Sequence, residues 1–349
     1  MKTLLVLVAG VGLIVSSGFR VVATGRQTGA AGARANDPLN SGHLIYHERD
    51  RRLLMVGGNQ PPAVPELLEL RTWRSPAWAL LPAAAGPSMR TLDAVIYDSR
   101  RQRVVVYGGL GRKGLDDPRA DTWEWDGQRW FEMPDTSVGT RDHHTMAYDE
   151  ARGRSVLFGG LTSIETPTGY TRASPAETIE WDGRKWTKLE VPGPGARGGA
   201  EMVYDRARKQ IVLFGGLGSG TLRLGDTWTW DGSAWRAVSG EGPPGRNGHA
   251  MVFDRKAGVV LMWGGTTGAE HLDDLWQWDG RSWKEIQVTG PRPGKRTGAG
   301  MVYDMHRERV VLYGGRIRED GRVKDSDEMW EWDGHQWTLI AHARNDPPL

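Results

Sequence analysis

Met301-Val302-Tyr303-Asp304, then Arg309-Val310-Val311-Leu312-Tyr313-Gly314-Gly315, then Met329-Trp330-Glu331-Trp332-Asp333-Gly334-His335-Gln336-Trp337, is the stretch that decides the fold. Its four short runs are rich in β-branched and aromatic residues and are bounded by turn residues, which reads as four strands. We name them A to D. Strand A ends in an aromatic residue and Asp, strand B ends in Gly-Gly, and Asp-Gly separates C from D. The same unit recurs along the chain. Doublets lie at Gly57-Gly58, Gly108-Gly109, Gly159-Gly160, Gly215-Gly216, Gly264-Gly265 and Gly314-Gly315, with spacings of 51, 51, 56, 49 and 50 residues. A fixed period near fifty marks units that bury a core only by stacking on their neighbours.

The period implies an all-β, six-bladed β-propeller with four antiparallel strands per blade. Gly at the doublet implies a positive φ or a close backbone approach that a Cβ would obstruct. Asp-Gly between strands C and D is a type I′ hairpin signal. With Asp-Gly as the two-residue loop, Trp123 faces Trp130, Ile179 faces Trp186, Trp228 faces Trp235, Trp276 faces Trp283, and Trp330 faces Trp337. Most of the 17 tryptophans return at one register in nearly every blade, so they are read as packing between blades rather than as ligand platforms. Blade 1 is degenerate. Its hairpin, near Glu66 to Trp78, lacks Asp-Gly. Because all six repeats run A to D without a leftover strand, the ring is expected to close by blade packing, with no strand exchanged between the termini.

The apolar strand ending in Gly-Gly, the Trp or Tyr in strand C and the Trp in strand D resemble the kelch repeat family over roughly residues 41–340. The resemblance implies a kelch-type propeller and says little about function, because one fold hosts many. It is similar to the galactose oxidase propellers, whose copper site needs a cysteine. This chain has none, so that site is not expected. It is also similar to bacterial periplasmic sialic-acid mutarotases, although no catalytic residue of theirs maps onto a position here.

Residues 1–25 read as a signal peptide or N-terminal anchor, with Lys2 ahead of an apolar run from Leu4 to Val15. Residues 26–40 read as a flexible linker, 41–341 as the propeller and 342–349 as a tail. The expected location is therefore exported: periplasmic, extracellular or at the cell surface. Without residues 1–25, which hold Lys2 and Arg20, the 45 basic side chains become 43 and match the 43 acidic ones. A neutral chain gives no bulk attraction to nucleic acid or to a membrane surface, so membrane association is expected only if the N-terminal segment is retained. No cofactor or metal is expected, and the chain reads as a monomer.

Strand alternation places the D–A and B–C loops on one face. The B–C loops are the long ones: Leu110 to Ala120, Leu161 to Ala176, and Arg316 to Asp327. Long loops on a rigid scaffold are the default seat of function. Two charged rings map there. Arg90, Arg141, Arg197, Arg246 and Arg296 lie seven residues before the strand-A aromatic. Asp121, Glu177, Asp226, Asp274 and Glu328, with Glu66 as a sixth, lie two residues before the start of strand C's aromatic pattern. Either the arginines bind an acidic sugar or carboxylate, or each pairs with a carboxylate and ties loops together. Matching register and nearly equal numbers favour pairing. Polar residues that break the repeat on strand A, namely Asp93, His144, Glu201 and His249, could line the channel mouth and do acid–base work. His43 lies beside them. The leading expectation is a protein- or glycan-binding module acting through the long-loop face. A periplasmic carbohydrate-active epimerase or lyase, and a purely architectural module, are the alternatives. Gly109 to Gly114 satisfies GxGxxG but precedes no helix, so it carries no nucleotide-binding meaning.

Overall fold

The structure, a computed structural model, describes residues 42–58, 67–135, 138–167, 169–319 and 322–342. The expected segments at 1–25 and 26–40, and Glu66, lie outside the described residues. Six four-stranded antiparallel sheets are present, each built from consecutive strands of a single repeat. Blade 2 is typical, with strands Ala94–Asp98, Arg103–Tyr107, Thr122–Trp125 and Trp130–Met133. The innermost strands are His43–His47, Ala94–Asp98, Thr145–Asp149, Glu201–Asp205, Ala250–Asp254 and Gly300–Asp304. Each packs beside the next around a closed ring. Between blades 6 and 1 the closure is apolar: Leu44, Met55 and Trp78 pack on Val311, Tyr313 and Met329. Among the described residues no strand is exchanged, as the repeat count implies.

Strand B is the buried heart of each blade. In blade 2, Val104, Val105, Val106 and Tyr107 have no solvent exposure. An unbroken apolar run is required because both faces of the sheet are covered by neighbouring blades. Strand A alternates. Met146 packs back towards blade 2, and Ala147 packs forward towards blade 4.

The tryptophans hold blade to blade. The strand-D indoles reach one blade back. Trp186 donates to Thr122 Oγ1 at 2.8 Å, Trp235 to Thr178 Oγ1 at 2.8 Å, and Trp283 to Thr227 Oγ1 at 2.9 Å. The register expected for the hairpins needs correction by two residues. Trp125 faces Trp130, Trp181 faces Trp186, Trp230 faces Trp235, Trp278 faces Trp283, and Trp332 faces Trp337. The loop is Gly-x rather than Asp-Gly. Asp126 N donates to Arg129 O, and Gly127 sits at the first central position with φ 102°, the requirement of a type II′ turn. The Asp126 carboxylate accepts the amides of Gln128 and Arg129, both at 2.9 Å. A slip of two keeps each side chain on its face, so the aromatic packing survives the correction.

Two further hairpins rise from the long-loop face. In blade 3, Thr162–Thr166 pairs with Gly169–Ala173. In blade 6, Arg316–Glu319 pairs with Arg322–Asp325 and with Arg296–Thr297.

Candidate functional site at the channel mouth

The doublet glycines and the arginines form one device. Arg246 is fully buried. It donates to Gly264 O at 2.9 Å and to both oxygens of Asp274 at 2.7 Å. The same pattern joins Arg90 to Gly108 O and Asp121, Arg141 to Gly159 O and Glu177, Arg197 to Gly215 O and Asp226, and Arg296 to Gly314 O and Glu328. In blades 2 to 5 the second glycine of the doublet donates to the next blade's arginine carbonyl, as Gly109 does to Arg141 O at 2.7 Å. A Cβ on Gly108, at φ 66°, would lie 2.4 Å from that same carbonyl. The doublet therefore exists because two blades meet there backbone to backbone.

This corrects the arginine part of the expected site. Arg90, Arg141, Arg197, Arg246 and Arg296 have side chains at most 2% exposed, each paired with a carboxylate. They do not present a positively charged mouth to an acidic ligand. The partner carboxylates respond. Burial alone would raise Asp121, but its hydrogen bonds to Arg90 and Trp123 and the Arg90 charge outweigh that and hold it below the usual carboxylate range.

The strand-A residues are placed differently from one another. A central cavity of about 420 Å³ is lined by all six inner strands and holds His43, Glu201 and His249 at its long-loop end. Asp93 lies behind His43, with Oδ1 3.5 Å from Nε2. His144 is buried edge-on against Tyr107, with ring centroids 5.5 Å apart, and does not line the cavity. His249 stands likewise against Phe214, yet it reaches the cavity wall. Burial, aided by Arg141 and Arg246 respectively, lowers His144 and His249 to about 3, so both are neutral. Burial raises Glu201 to about 7, opposed by the charge of His43. Burial also lowers His43, but Asp93 and Glu201 more than offset this and its pKa is raised overall. Both ring nitrogens of His249 and both oxygens of Asp93 lack a hydrogen-bond partner while buried.

Two features escaped the sequence reading. At the other end of the channel, one residue past the strand-A aspartate position, Glu48, Glu150, Arg206 and Arg255 meet across the ring. Arg255 donates to Glu48 at 2.5 Å, Arg206 to Glu48 at 3.2 Å, and Arg206 also pairs with Glu150. Scanning that register would have shown residue types changing from blade to blade. At the mouth itself, the residue before the −4 position of strand A is left-handed in five blades. It is Gly199, Gly248 and Gly298 in blades 4 to 6, but Leu92 (φ 59°) and His143 (φ 54°) in blades 2 and 3. Among the described residues no group of three or more His, Asp or Glu side chains is arranged to hold a metal ion, and no helix is long and apolar enough to cross a membrane.

No curated protein sequence matches the chain. The solved structure of YjhT superposes with a TM-score of 0.65 at 13% identity, covering 87% of this chain and 98% of that one, a likeness in fold. The family model described as the KLHDC2/KLHL20/DRC7 Kelch-repeats domain matches residues 173–348. With the Gly-Gly device, the interblade tryptophans and six single-repeat sheets in place, that match spans half of the sequence, and the chain belongs to the KLHDC2/KLHL20/DRC7 Kelch-repeats family.

Proposed function

We propose that this kelch propeller is an exported module that binds a protein partner on its long-loop face. One observation carries the reading. Five large apolar side chains are exposed among the described residues, and four of them, Leu115, Ile164, Leu222 and Val323, sit on B–C loops. Each is at least half exposed. Isolated exposed apolar residues mean little, but their concentration on the long loops of one face is what an interface needs. The fifth, Leu339, lies on an outer strand. The loops that carry them are braced. Residues following the arginines bridge those following the doublets, as Asp142 does with Leu161 and Gly198 with Leu217. A braced loop is pre-organised and loses less entropy on binding.

The glycan alternative loses its main support once the five arginines are paired. Export rests on the Lys2-led apolar run at residues 4–15, and N-terminal sequencing of protein recovered from the exported fraction tests it. For the interface, proximity labelling with the full chain compares wild type, a loop variant (Leu115→Asp, Ile164→Asp, Leu222→Asp, Val323→Asp) and a control with Leu339→Asp on the outer strand. The expected result is a set of proteins labelled by wild type and control and lost with the loop variant, at unchanged melting temperature. Labelling that ignores the loop variant overturns the assignment.

A further inference from the structure

We propose that the channel mouth lined by His43, Glu201 and His249, with Asp93 behind His43, binds a protonated primary amine that enters from the long-loop face. Three observations lead there. The first is unused hydrogen-bonding capacity. His249 is 2% exposed with neither ring nitrogen hydrogen-bonded, and Asp93, 5% exposed, has no hydrogen bond to either oxygen beyond its 3.5 Å ion pair with His43. Buried polar atoms without partners are rare and costly, and they mark places where something else supplies the partner. The second is charge. Asp93 and Glu201 both act on one imidazole, His43, while Arg141 and Arg246, whose charges reach His144 and His249, are committed to Glu177 and Asp274. Once His43 is neutral, Asp93 and Glu201 are left without a cation, which suits a positively charged ligand and not an anion. The third is shape. The cavity of about 420 Å³ continues past the acidic mouth between Met146, Met202, Met251 and Met301, which adapt to a methylene stem. Its far end is crossed by the Glu48, Glu150, Arg206 and Arg255 ion pairs.

The pH dependence follows with one sign. As pH rises through about 7 Glu201 gains its charge, and His43, whose pKa is raised by Asp93 and Glu201, loses its own above the ordinary imidazole value. Both changes favour a cation. His144 and His249 stay neutral throughout this range, and a primary amine stays protonated until about pH 10.

A free amine and a partner's lysine side chain share this chemistry. Calorimetry on the full chain separates them, using cadaverine, Nα-acetyl-lysine amide and its Nε-acetylated counterpart. The expected result is binding of a charged amine at about pH 8, weakened about tenfold or more at about pH 5.5, and no binding of the Nε-acetylated form. Glu201→Gln should reproduce the loss at the higher pH. If cadaverine binds as tightly as the lysine amide, the natural ligand is a free amine. If only lysine inside a peptide binds, and the loop variant above weakens it, the amine belongs to a docked partner. Equal binding of the Nε-acetylated form, a pH-independent affinity, or no amine binding overturns the proposal. These readouts use the unmutated chain, so they stand even if Glu201→Gln misfolds, and they are independent of whether the loops bind protein.

Discussion

Replacing Arg246 with Ala distinguishes an arginine that builds the ring from one that serves a ligand. Arg246 is fully buried, and its guanidinium makes four hydrogen bonds: to Pro244 O at 3.1 Å, Gly264 O at 2.9 Å, and each oxygen of Asp274 at 2.7 Å. Truncation leaves Asp274 without its cation, although Trp276 Nε1 still donates to it at 2.7 Å. Removing one partner of a buried pair costs about 3–5 kcal/mol, because the remaining charge is uncompensated. The Asp274 side chain is 18% exposed, so water reaches it and the lower end applies. The expectation is a loss of about 3 kcal/mol. Urea unfolding of wild type and variant measures it. A double variant, Arg246→Met with Asp274→Leu, should recover part of the loss, since replacing both members of such a pair by apolar side chains is often neutral. A surface pair such as Arg236 with Asp231, where Arg236 is 64% exposed, should contribute less than about 1 kcal/mol. If Arg246→Ala costs no more than that surface pair, the argument that the arginine ring is structural is wrong.

Three other outcomes are expected. Gly108→Ala, at φ 66° with a Cβ 2.4 Å from Arg141 O, should lower the melting temperature far more than Gly290→Ala, at φ 87° with nothing within 4 Å; the latter should lose only the left-handed strain of about 1–2 kcal/mol. His144 and His249, held at about 3 in the fold, take up protons first in the unfolded chain, so stability falls as pH drops from about 6.5 towards 3. Each contributes about 2 kcal/mol of that loss by pH 5, and melts of His144→Gln/His249→Gln at pH 5 and 8 should show a smaller gap than wild type. Asp121, Glu177, Asp226 and Glu328 are all lowered overall, burial being outweighed by their cationic partners. Their stabilisation is complete above the usual carboxylate range and is lost below about pH 4, a limb that should persist in the histidine variant during acid titration followed by tryptophan fluorescence.

The repeat was legible because its cause is local and periodic. Gly-Gly recurs where blades touch through backbone, and the strand-D tryptophans recur where an indole reaches the preceding blade's threonine. The matched arginine and carboxylate rings were legible as pairs for the same reason. The hairpin register was not, because Asp-Gly suits two turns. The backbone of Gly127 takes the first central position once the Asp126 side chain accepts two amides, and sequence does not reveal which arrangement wins. The proximity of His43 to Asp93 was legible only as neighbouring blades. That Asp93 lies behind His43, while His144 turns onto Tyr107, depends on ring phase. Glu48 contacts Arg206 and Arg255 from 158 and 207 residues away, a relation that only the closed ring creates.

Subtracting what every blade shares leaves an asymmetric mouth. Left-handed backbone is imposed in blade after blade by the same hydrogen bonds: His143 N donates to Leu92 O, Gly199 N to His143 O, and Gly298 N to Gly248 O. Glycine meets that demand without strain, yet blades 2 and 3 meet it with Leu92 and His143. A non-glycine residue there carries about 1–2 kcal/mol of strain and persists only because its surroundings over-determine it. Its side chain projects where blades 4 to 6 present only a hydrogen. The rim therefore differs in side chain between blades 2 and 3 and blades 4 to 6, the latter being the side on which Glu201 and His249 line the cavity. Ring architecture demands no such difference, since three blades do without it. The strain at Leu92 and His143 sits beside the unpartnered polar atoms of Asp93 and His144, so the departures from the repeat gather at one end of the ring.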